Sequence, residues 1–372
     1  MRIGLNLLHA RPRIGGGWNY VANLMDAIAK ADDGNEYVAF VTATSRTLVR
    51  QSRRFTVIPT TVGGSQINRV LYENTYLQVL AGRQRLDVMH WLANVHGIYN
   101  AAPSAITVYD LQPLVTPAAF STLTRILLHH RIPSSVRSAG RLLPISHATA
   151  TDLTRLCGAR PDRMTVIPPI LEEFFEPQRR ADIEVVRRKH RLPEFFWLYV
   201  AHLYEHKNHA RLLDAYAELQ RRRPDAWPLV LRGDRRPGDE VVFRRIEELR
   251  LQEHVVFLPR VDRAEMAGLY GAASGMVYPS RFEGGAMPIC EALACGCPIV
   301  AADLPVIREC AEHAVRYFNP LDPTEIATAM DEIQQDPAAG RALARTAEEQ
   351  LNRHRAPSVV GSLAQAYREA VS

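Results

Sequence analysis

Two glutamates, Glu283 and Glu291, stand on either side of a small, turn-prone stretch in SRFEGGAMPICEALACGCPIV, residues 280–300. A strand-like GMVYPS ends at Ser280, and Glu283 follows in the loop. Pro288 suits the first turn of a helix, so Glu291 falls in that helix's early turns, where a carboxylate also suits the dipole. Carboxylates accept hydrogen bonds from sugar and ribose hydroxyls. The amides of Gly284, Gly285, Ala286 and Met287 lie at the helix mouth, where they can hold phosphate or sugar oxygens. A helix-initiating acid beside an ordinary turn would account for either glutamate alone. Two acids on one strand-loop-helix, beside a glycine turn, fit a binding site better.

Two further loops could carry chemistry. ARPRIGGGWNYVANL, residues 10–24, leaves the first strand and enters a helix. Gly15, Gly16 and Gly17 let backbone amides turn toward a ligand, and a helix N-terminus favours an anion. A flexible strand-to-helix turn fits this stretch equally well, with Arg11 and Arg13 tilting it toward an anionic ligand. No GxGxxG or GxxxxGK[ST] is present. YVAHLYEHKNHARLLDAY, residues 199–216, places His202, His206 and Lys207 between a strand and a helix. A lysine there can neutralise diphosphate oxygens, although a loop lysine read in isolation is a solvated one. The neighbouring histidines are not by themselves a metal signature.

These loops need strands and helices to hold them. Apolar runs at 2–8, 37–42, 55–59, 87–91, 105–109 and 142–145 read as strands, with 164–169 closing the first half. Helices are expected between them at 18–30, 67–81, 119–139 and 147–157. A charged, proline-flanked connection with one helix spans 170–194. The alternation then restarts, with strands at 197–201, 229–231, 255–258, 276–278 and 299–301 and helices at 208–223, 239–250, 262–273 and 287–295. The tail, 337–371, reads as helix broken by Pro357. Alternating strands and helices point to α/β architecture with parallel sheets. Open parallel sheets bind ligands at the carboxyl ends of their strands, so two of them in series place the expected site in a cleft between domains.

Composition sets the outer limits. A chain of 372 residues exceeds what one core usually organises. With 47% hydrophobic and 23% charged residues, it has an ordinary globular composition. No apolar run is long enough for a membrane helix, and the N-terminus reads as a buried strand rather than a leader, so a cytoplasmic location is expected. The five cysteines include no CxxC, and buried thiols are expected rather than disulfides or a metal site at Cys295 and Cys297. The net charge of +5 is arginine-rich and favours anionic partners. Nucleic acid ranks last among them, because no aromatic-plus-basic recognition motif is present.

PSRFEGGAMPICEALACGCPIVAADLPVIREC resembles the E-x7-E region of the family-4 retaining glycosyltransferases of GT-B fold. YVAHLYEHKN, LVLRGD and VVFLPRVDRAEMAGLYGAASGMVYPS resemble, in order, the segments that precede it in that family. The resemblance is dense from about 197 to 312. It is thinner in the first half, where GGGWNYVANL, ITVYDLQPL, LPISHATATDL and VIPP fall in the family's order. It implies two Rossmann-like doubly wound domains facing across a cleft. Residues 1–170 would form the acceptor-side domain, with a last helix at about 357–372 packing back on it, and 171–356 the nucleotide-sugar domain.

Carried over by position, Lys207 would bind the donor diphosphate, Glu291 the ribose hydroxyls and Glu283 the donor sugar. Gly233 is the family's strand-end glycine, Arg260 would sit beside the base, and Gly15–Gly17 would close over the phosphates or meet the acceptor. Three departures stand out. Gly-Gly-Ala-Met-Pro replaces the usual Gly-Phe-Gly-Leu-Pro, His202 stands where arginine or threonine is common, and Tyr109-Asp110 replaces a His-Asp. Tyr109, or else His96, would then take the histidine's place near the sugar.

The activity implied is transfer of a sugar from a nucleotide-diphosphate donor to a saccharide or polyprenyl-diphosphate-linked hydroxyl, with configuration retained and no cofactor. The departing phosphate could itself deprotonate the acceptor. No Asp-x-Asp occurs in the chain, so metal-clamp chemistry is not expected. GDP-mannose is the first donor choice, in a surface polysaccharide or lipopolysaccharide pathway, with UDP- or dTDP-sugars as alternatives. A sugar-nucleotide 2-epimerase and a non-catalytic sugar-nucleotide binder are the rival readings. The apolar positions of INRVLYENTYLQVLAG, 67–82, suit either docking to an anionic membrane face, as a peripheral protein, or a core-facing helix.

Overall fold

Strand Glu36–Val41 is buried on both of its faces. Tyr37, Ala39 and Val41 enter one hydrophobic cluster, while Val38 and Phe40 enter another. Such a strand belongs inside a parallel sheet covered by helices on both sides. The computed structural model describes residues 1–11, 16–50, 52–62, 66–117, 120–236, 238–258 and 261–371, the side chains of Gln66 and Leu123 excepted. The chain divides into unit 1, Met1–Ile170 with Arg353–Ser372, and unit 2, Leu171–Asn352.

Unit 1 contains β1 (Arg2–Asn6), β2 (Glu36–Val41), β3 (Phe55–Pro59), β4 (Val88–Trp91), β5 (Ser104–Val108) and β6 (Arg141–Pro144), all parallel, in the order β3-β2-β1-β4-β5-β6. Helices Gly17–Lys30 and Ala356–Val371 pack in one cluster against the sheet. Helices Tyr76–Arg83, Thr122–Ser138 and His147–Cys157 contribute to the other. His90 ties the C-terminal helix to the strands, its Nδ1 lying 2.7 Å from the Tyr367 hydroxyl and its Nε2 2.8 Å from Thr107 Oγ1.

Unit 2 repeats the plan. It contains β7 (Trp197–Val200), β8 (Leu229–Arg232), β9 (Val255–Leu258), β10 (Gly275–Tyr278), β11 (Ile299–Ala302) and β12 (Arg316–Phe318), parallel, in the order β12-β11-β10-β7-β8-β9. Counted from its own first strand, each sheet has the doubly wound order 3-2-1-4-5-6. The order reverses between β1 and β4 in unit 1 and between β7 and β10 in unit 2. In such sheets a ligand crevice lies outside the carboxyl ends of the two strands at the reversal.

Several local expectations change. Residues 164–169 are not a strand: Met164 makes one isolated bridge to Leu142. Thr165 and Ile167 still donate to the carbonyls of Leu142 and Pro144, at 3.0 and 2.9 Å, but Pro168 and Pro169 have no N–H to extend the ladder. The helix expected at 67–81 is two, Gln66–Asn74 and Tyr76–Arg83, parted at Thr75. The tail is interrupted near Pro357 as expected: helix Glu348–Asn352 ends and Ala356–Val371 begins, with Pro357 in its first turn, where its missing N–H costs nothing. β12 and the helices Pro305–Ala311 and Pro323–Gln335 add to the expected set.

Candidate active site

The reversal in unit 2 brings together the loops after β7 and β10. The β7 loop ends in a short 3-10 turn, Glu205–Lys207, followed by Asn208 at φ 64°. Asparagine adopts this left-handed conformation more readily than most residues. There its side-chain amide donates to the carbonyls of Pro279, at 3.0 Å, and Pro320, at 2.7 Å. Arg281 N–H returns a bond to the His206 carbonyl at 2.8 Å, and the Tyr199 hydroxyl donates to the Lys207 carbonyl at 2.6 Å. Two loops distant in sequence are thus held as one unit.

Across that junction Lys207 Nζ donates to Glu283 Oε1 at 2.6 Å, and the Tyr278 hydroxyl donates to the same oxygen at 2.7 Å. The two charged side chains are 17% and 8% exposed, so the pair is largely withdrawn from water. Among the described residues no donor reaches Glu283 Oε2, and no second acceptor takes the remaining Nζ protons. One carboxylate oxygen and ammonium hydrogens therefore remain for a ligand. Nearby, burial pushes His206 down to about 4, with the Lys207 charge adding to it, and it pushes His209 down to about 3. Both rings are neutral at physiological pH.

Glu291 lies one turn into helix Met287–Ala294, whose first turn holds Pro288. Its Oε1 accepts from an Arg263 terminal nitrogen at 2.6 Å, and its Oε2 from the Tyr270 hydroxyl at 2.8 Å. Arg263 also holds Glu172 through two bonds of 2.8 and 2.6 Å, and its guanidinium lies 4.6 Å from the centre of the Phe175 ring. Burial raises the Glu291 carboxyl, and Arg263 opposes it. Both oxygens have partners, so a ribose hydroxyl would share them rather than find them free. In the preceding turn Met287 N–H donates to the Gly285 carbonyl at 2.9 Å. Of the four amides expected to meet a ligand, this one is used within the turn.

His202 follows β7. Asp234 N–H donates to its Nδ1 at 3.2 Å, which puts the neutral ring's proton on Nε2, and burial lowers its affinity for a second proton. Gly233 has a steric reason to be glycine: an added Cβ would lie 1.8 Å from the Ala201 carbonyl oxygen, just beyond the paired ends of the parallel strands β7 and β8. Arg260 lies outside the described residues.

In unit 1, Gly16 caps helix Gly17–Lys30 with ordinary right-handed angles, and a Cβ on Gly16 or Gly17 would meet nothing within 4 Å. Gly15 and Arg13 lie outside the described residues. Tyr109 donates its hydroxyl proton to the Leu92 carbonyl at 2.7 Å and packs edge-on against Tyr20, with ring centres 5.2 Å apart. Asp110 Oδ1 accepts from Gln112 N–H at 3.0 Å and steadies the turn that follows. His96 is buried, with Asn100 Nδ2 at 3.1 Å from Nδ1 and Ser138 Oγ at 3.1 Å from Nε2. Both residues expected to stand in for the family's histidine are therefore engaged within unit 1. Among the described residues, no group of three or more His, Cys, Asp or Glu is placed to hold a metal ion.

Sequence reasoning did not single out Arg263, Tyr270, Tyr278, Glu172 or Asn208. Tyr278 was findable, since it ends the strand that delivers Glu283. Asn208 was findable as well, since a turn asparagine just before a helix suits left-handed backbone. Arg263 gave no signal among many arginines.

Residues 182–350 match the family described as glycosyl transferases group 1. The O-antigen chain mannosyltransferase B of Escherichia coli is 25% identical over 260 residues, 70% of this chain and 68% of that protein. Among solved structures, a sucrose-phosphate synthase from Thermosynechococcus elongatus superimposes with a TM-score of 0.80 at 22% identity, covering 99% of this chain and 98% of the other. HepE from Anabaena, solved with UDP and glucose, superimposes with a TM-score of 0.75 at 19% identity, covering 98% of each chain.

Proposed function

We propose that the chain is a glycosyltransferase of GT-B fold and family-4, mannosyltransferase-like type that moves mannose from GDP-mannose to a saccharide or lipid-linked saccharide hydroxyl with the anomeric configuration retained, a reading supported by the match of residues 182–350 to the glycosyl transferases group 1 family and by the O-antigen mannosyltransferase relative. The observation that carries this reading is the Lys207–Glu283 pair at the strand reversal of unit 2. Loss of a nucleoside diphosphate builds negative charge on the leaving oxygens. A fixed ammonium stabilises that charge without rearranging, and the His202 Nε2–H, from the same loop, adds a donor. Glu283 offers Oε2 to a sugar hydroxyl while Lys207 and Tyr278 hold its other oxygen. The departing phosphate takes the acceptor proton on the same face, so no side chain serves as nucleophile. Tyr109 and Asp110 we assign to framing the acceptor side of unit 1 rather than to touching the sugar, because Tyr109 is bonded to Leu92 and Asp110 to Gln112.

The relative's name, O-antigen chain mannosyltransferase B, supports mannose and a surface polysaccharide acceptor. A UDP-sugar donor is the second reading, favoured by the HepE complex with UDP and glucose. The acceptor would be presented at an anionic membrane. Ile67, Leu71, Tyr76 and Val79 are 65, 60, 54 and 52% exposed, so the core-facing alternative for 67–82 holds only for residues such as Leu77 and Ala81. Among the described residues no helix is long and apolar enough to cross a membrane, and attachment would be peripheral, on the cytoplasmic side.

The test is incubation of the chain with GDP-mannose, UDP-glucose and dTDP-glucose, with and without a polyprenyl-diphosphate saccharide, in chelator. Release of GDP with a new α-mannoside supports the reading. A new nucleotide sugar would make the chain an epimerase, and binding without turnover would make it a non-catalytic binder.

A further inference from the structure

The strand reversal of unit 1 carries a polar cluster that the donor chemistry does not use. Asn6, the last residue of β1, donates to Glu73 Oε1 at 3.0 Å. Arg69 is one helical turn before Glu73 on Gln66–Asn74, with its Nε 3.9 Å from Glu73 Oε2. That Nε is buried and has no hydrogen-bond partner. Arg131, from helix Thr122–Ser138, donates to the His96 carbonyl at 2.5 Å and lies within electrostatic range of Glu73. His9, in the loop after β1, is half-buried, and its Nδ1 is buried and also lacks a partner. These groups come from four segments and meet where an open α/β sheet places its ligand.

Charge decides what kind of ligand fits. Two guanidinium groups face one carboxylate, and Arg131 partly spends its donors on a backbone carbonyl. One positive charge and an unbonded guanidinium N–H are left over in a largely dehydrated place. Leaving such a donor unmade is costly, and an anionic oxygen is the strongest partner it could find. The outer face of the same helix carries exposed Ile67 and Leu71, which suits an acceptor whose charged group sits close to a lipid.

We propose that unit 1 holds a subsite for an anionic group of the acceptor, a phosphate ester or a carboxylate, gripped by Arg69 and Arg131 at the carboxyl end of β1. It rests on the transferase reading for the word acceptor, but not for the anion. Glu73 is the positioning residue that keeps both guanidinium groups in place. Burial raises its carboxyl, and the nearby Arg69, the Asn6 hydrogen bond and Arg131 oppose that shift.

The test is calorimetric titration of inorganic pyrophosphate into the whole chain, with the donor site saturated by the nucleoside diphosphate it binds best. The expected result is binding that Arg69→Gln and Arg131→Gln each weaken by about tenfold, the usual cost of one charge-assisted bond. Methyl phosphate and glucuronate, titrated separately, distinguish a phosphate-bearing from a carboxylate-bearing acceptor, and a response to either upholds the subsite. Absence of binding in the blocked chain overturns the proposal. So does unchanged pyrophosphate affinity in both variants, provided each still melts cooperatively. If no nucleoside diphosphate binds, the donor reading fails on its own. The same titration into the unblocked chain then still reports on Arg69 and Arg131.

Discussion

The two sheets share one strand order and differ in what stands at the reversal. In unit 2 the loops after β7 and β10 are stitched by Asn208, Arg281 and Tyr199, and they hold a close ion pair, Lys207 with Glu283. In unit 1 the corresponding loops carry His9, Asn94 and His96 beside Arg11, and the charges of the cluster come from flanking helices through Arg69, Glu73 and Arg131. Identical topology therefore provides a place for a ligand twice without dictating its chemistry. A rigid, internally neutral pair with spare donors suits a substrate whose charge grows during reaction. A net-positive cluster suits a group whose charge is constant.

The largest effect should come from breaking the pair in unit 2. Lys207→Met should lower kcat/KM about 10²–10³-fold, the range for losing one preorganised stabilising group. It should also destabilise the fold by up to about 3 kcal/mol, because Glu283 is left without its counter-charge. The double variant Lys207→Met with Glu283→Gln separates the two losses: melting temperature should recover and transfer should not. A Lys207→Met enzyme with full turnover would remove the chemical distinction between the two reversals.

Steric demand differs between the units as well. Gly233→Ala forces a Cβ to 1.8 Å from a backbone oxygen, which no side-chain adjustment relieves. It should cost about 3 kcal/mol or more, at the high end for a single change. Gly16→Ala in unit 1 meets open space and right-handed backbone, so stability should move by less than about 0.5 kcal/mol. Thermal melts read both. A loss of transfer in a stable Gly16→Ala protein would show that this glycine serves a ligand's approach.

How far the sequence could be read follows the same division. The architecture was legible because strands buried on both faces, such as Trp197–Val200 and Ile299–Ala302, are continuous apolar runs, and the partly buried edge strands Phe55–Pro59 and Val255–Leu258 still have the expected ends. The exposed three-residue edge β12 and the proline-ended 164–169 have no such run, so periodicity misjudges both. At the site, Lys207, Glu283 and Glu291 announce themselves by motif, since each is a charge in a loop or helix start after a strand. Their partners do not. Arg263 bridges Glu172 and Glu291 from a third segment, and no spacing encodes that meeting. Gly233 stands out in the sequence only as the family's strand-end glycine, and its identity is explained by the closeness of the Ala201 carbonyl beyond the paired ends of β7 and β8. The same limit applied to Tyr109, whose bond to the Leu92 carbonyl depends on the parallel pairing of β4 with β5, which no local pattern encodes.

Acid should act on both units through buried neutral histidines. Burial holds His90 in unit 1 and His209 in unit 2 at about 3, below the ordinary 6.5. The unfolded chain therefore binds more protons between those values, so the stabilisation is complete above pH 6.5 and is lost progressively as pH falls toward 3. Melting temperature should decline across that window. His90→Gln, which can still bond to Tyr367 or Thr107, should flatten the decline. An equally steep decline in that variant would assign the acid sensitivity to the other depressed histidines, His9 in unit 1 and His206 and His209 in unit 2.

The smallest effect is expected where the sequence placed chemistry and the fold uses packing. Tyr109→Phe removes one hydroxyl whose proton goes to the Leu92 carbonyl and leaves the edge-on contact with Tyr20 intact. The cost should be about 1 kcal/mol, that of one buried neutral hydrogen bond, seen as a modest drop in melting temperature. Donor KM and kcat should be unchanged. If instead kcat falls by more than tenfold while the melt barely moves, Tyr109 touches the reacting sugar. The contrast would then fail at its weakest point, because unit 1 would contribute a catalytic hydroxyl in addition to any grip on the acceptor.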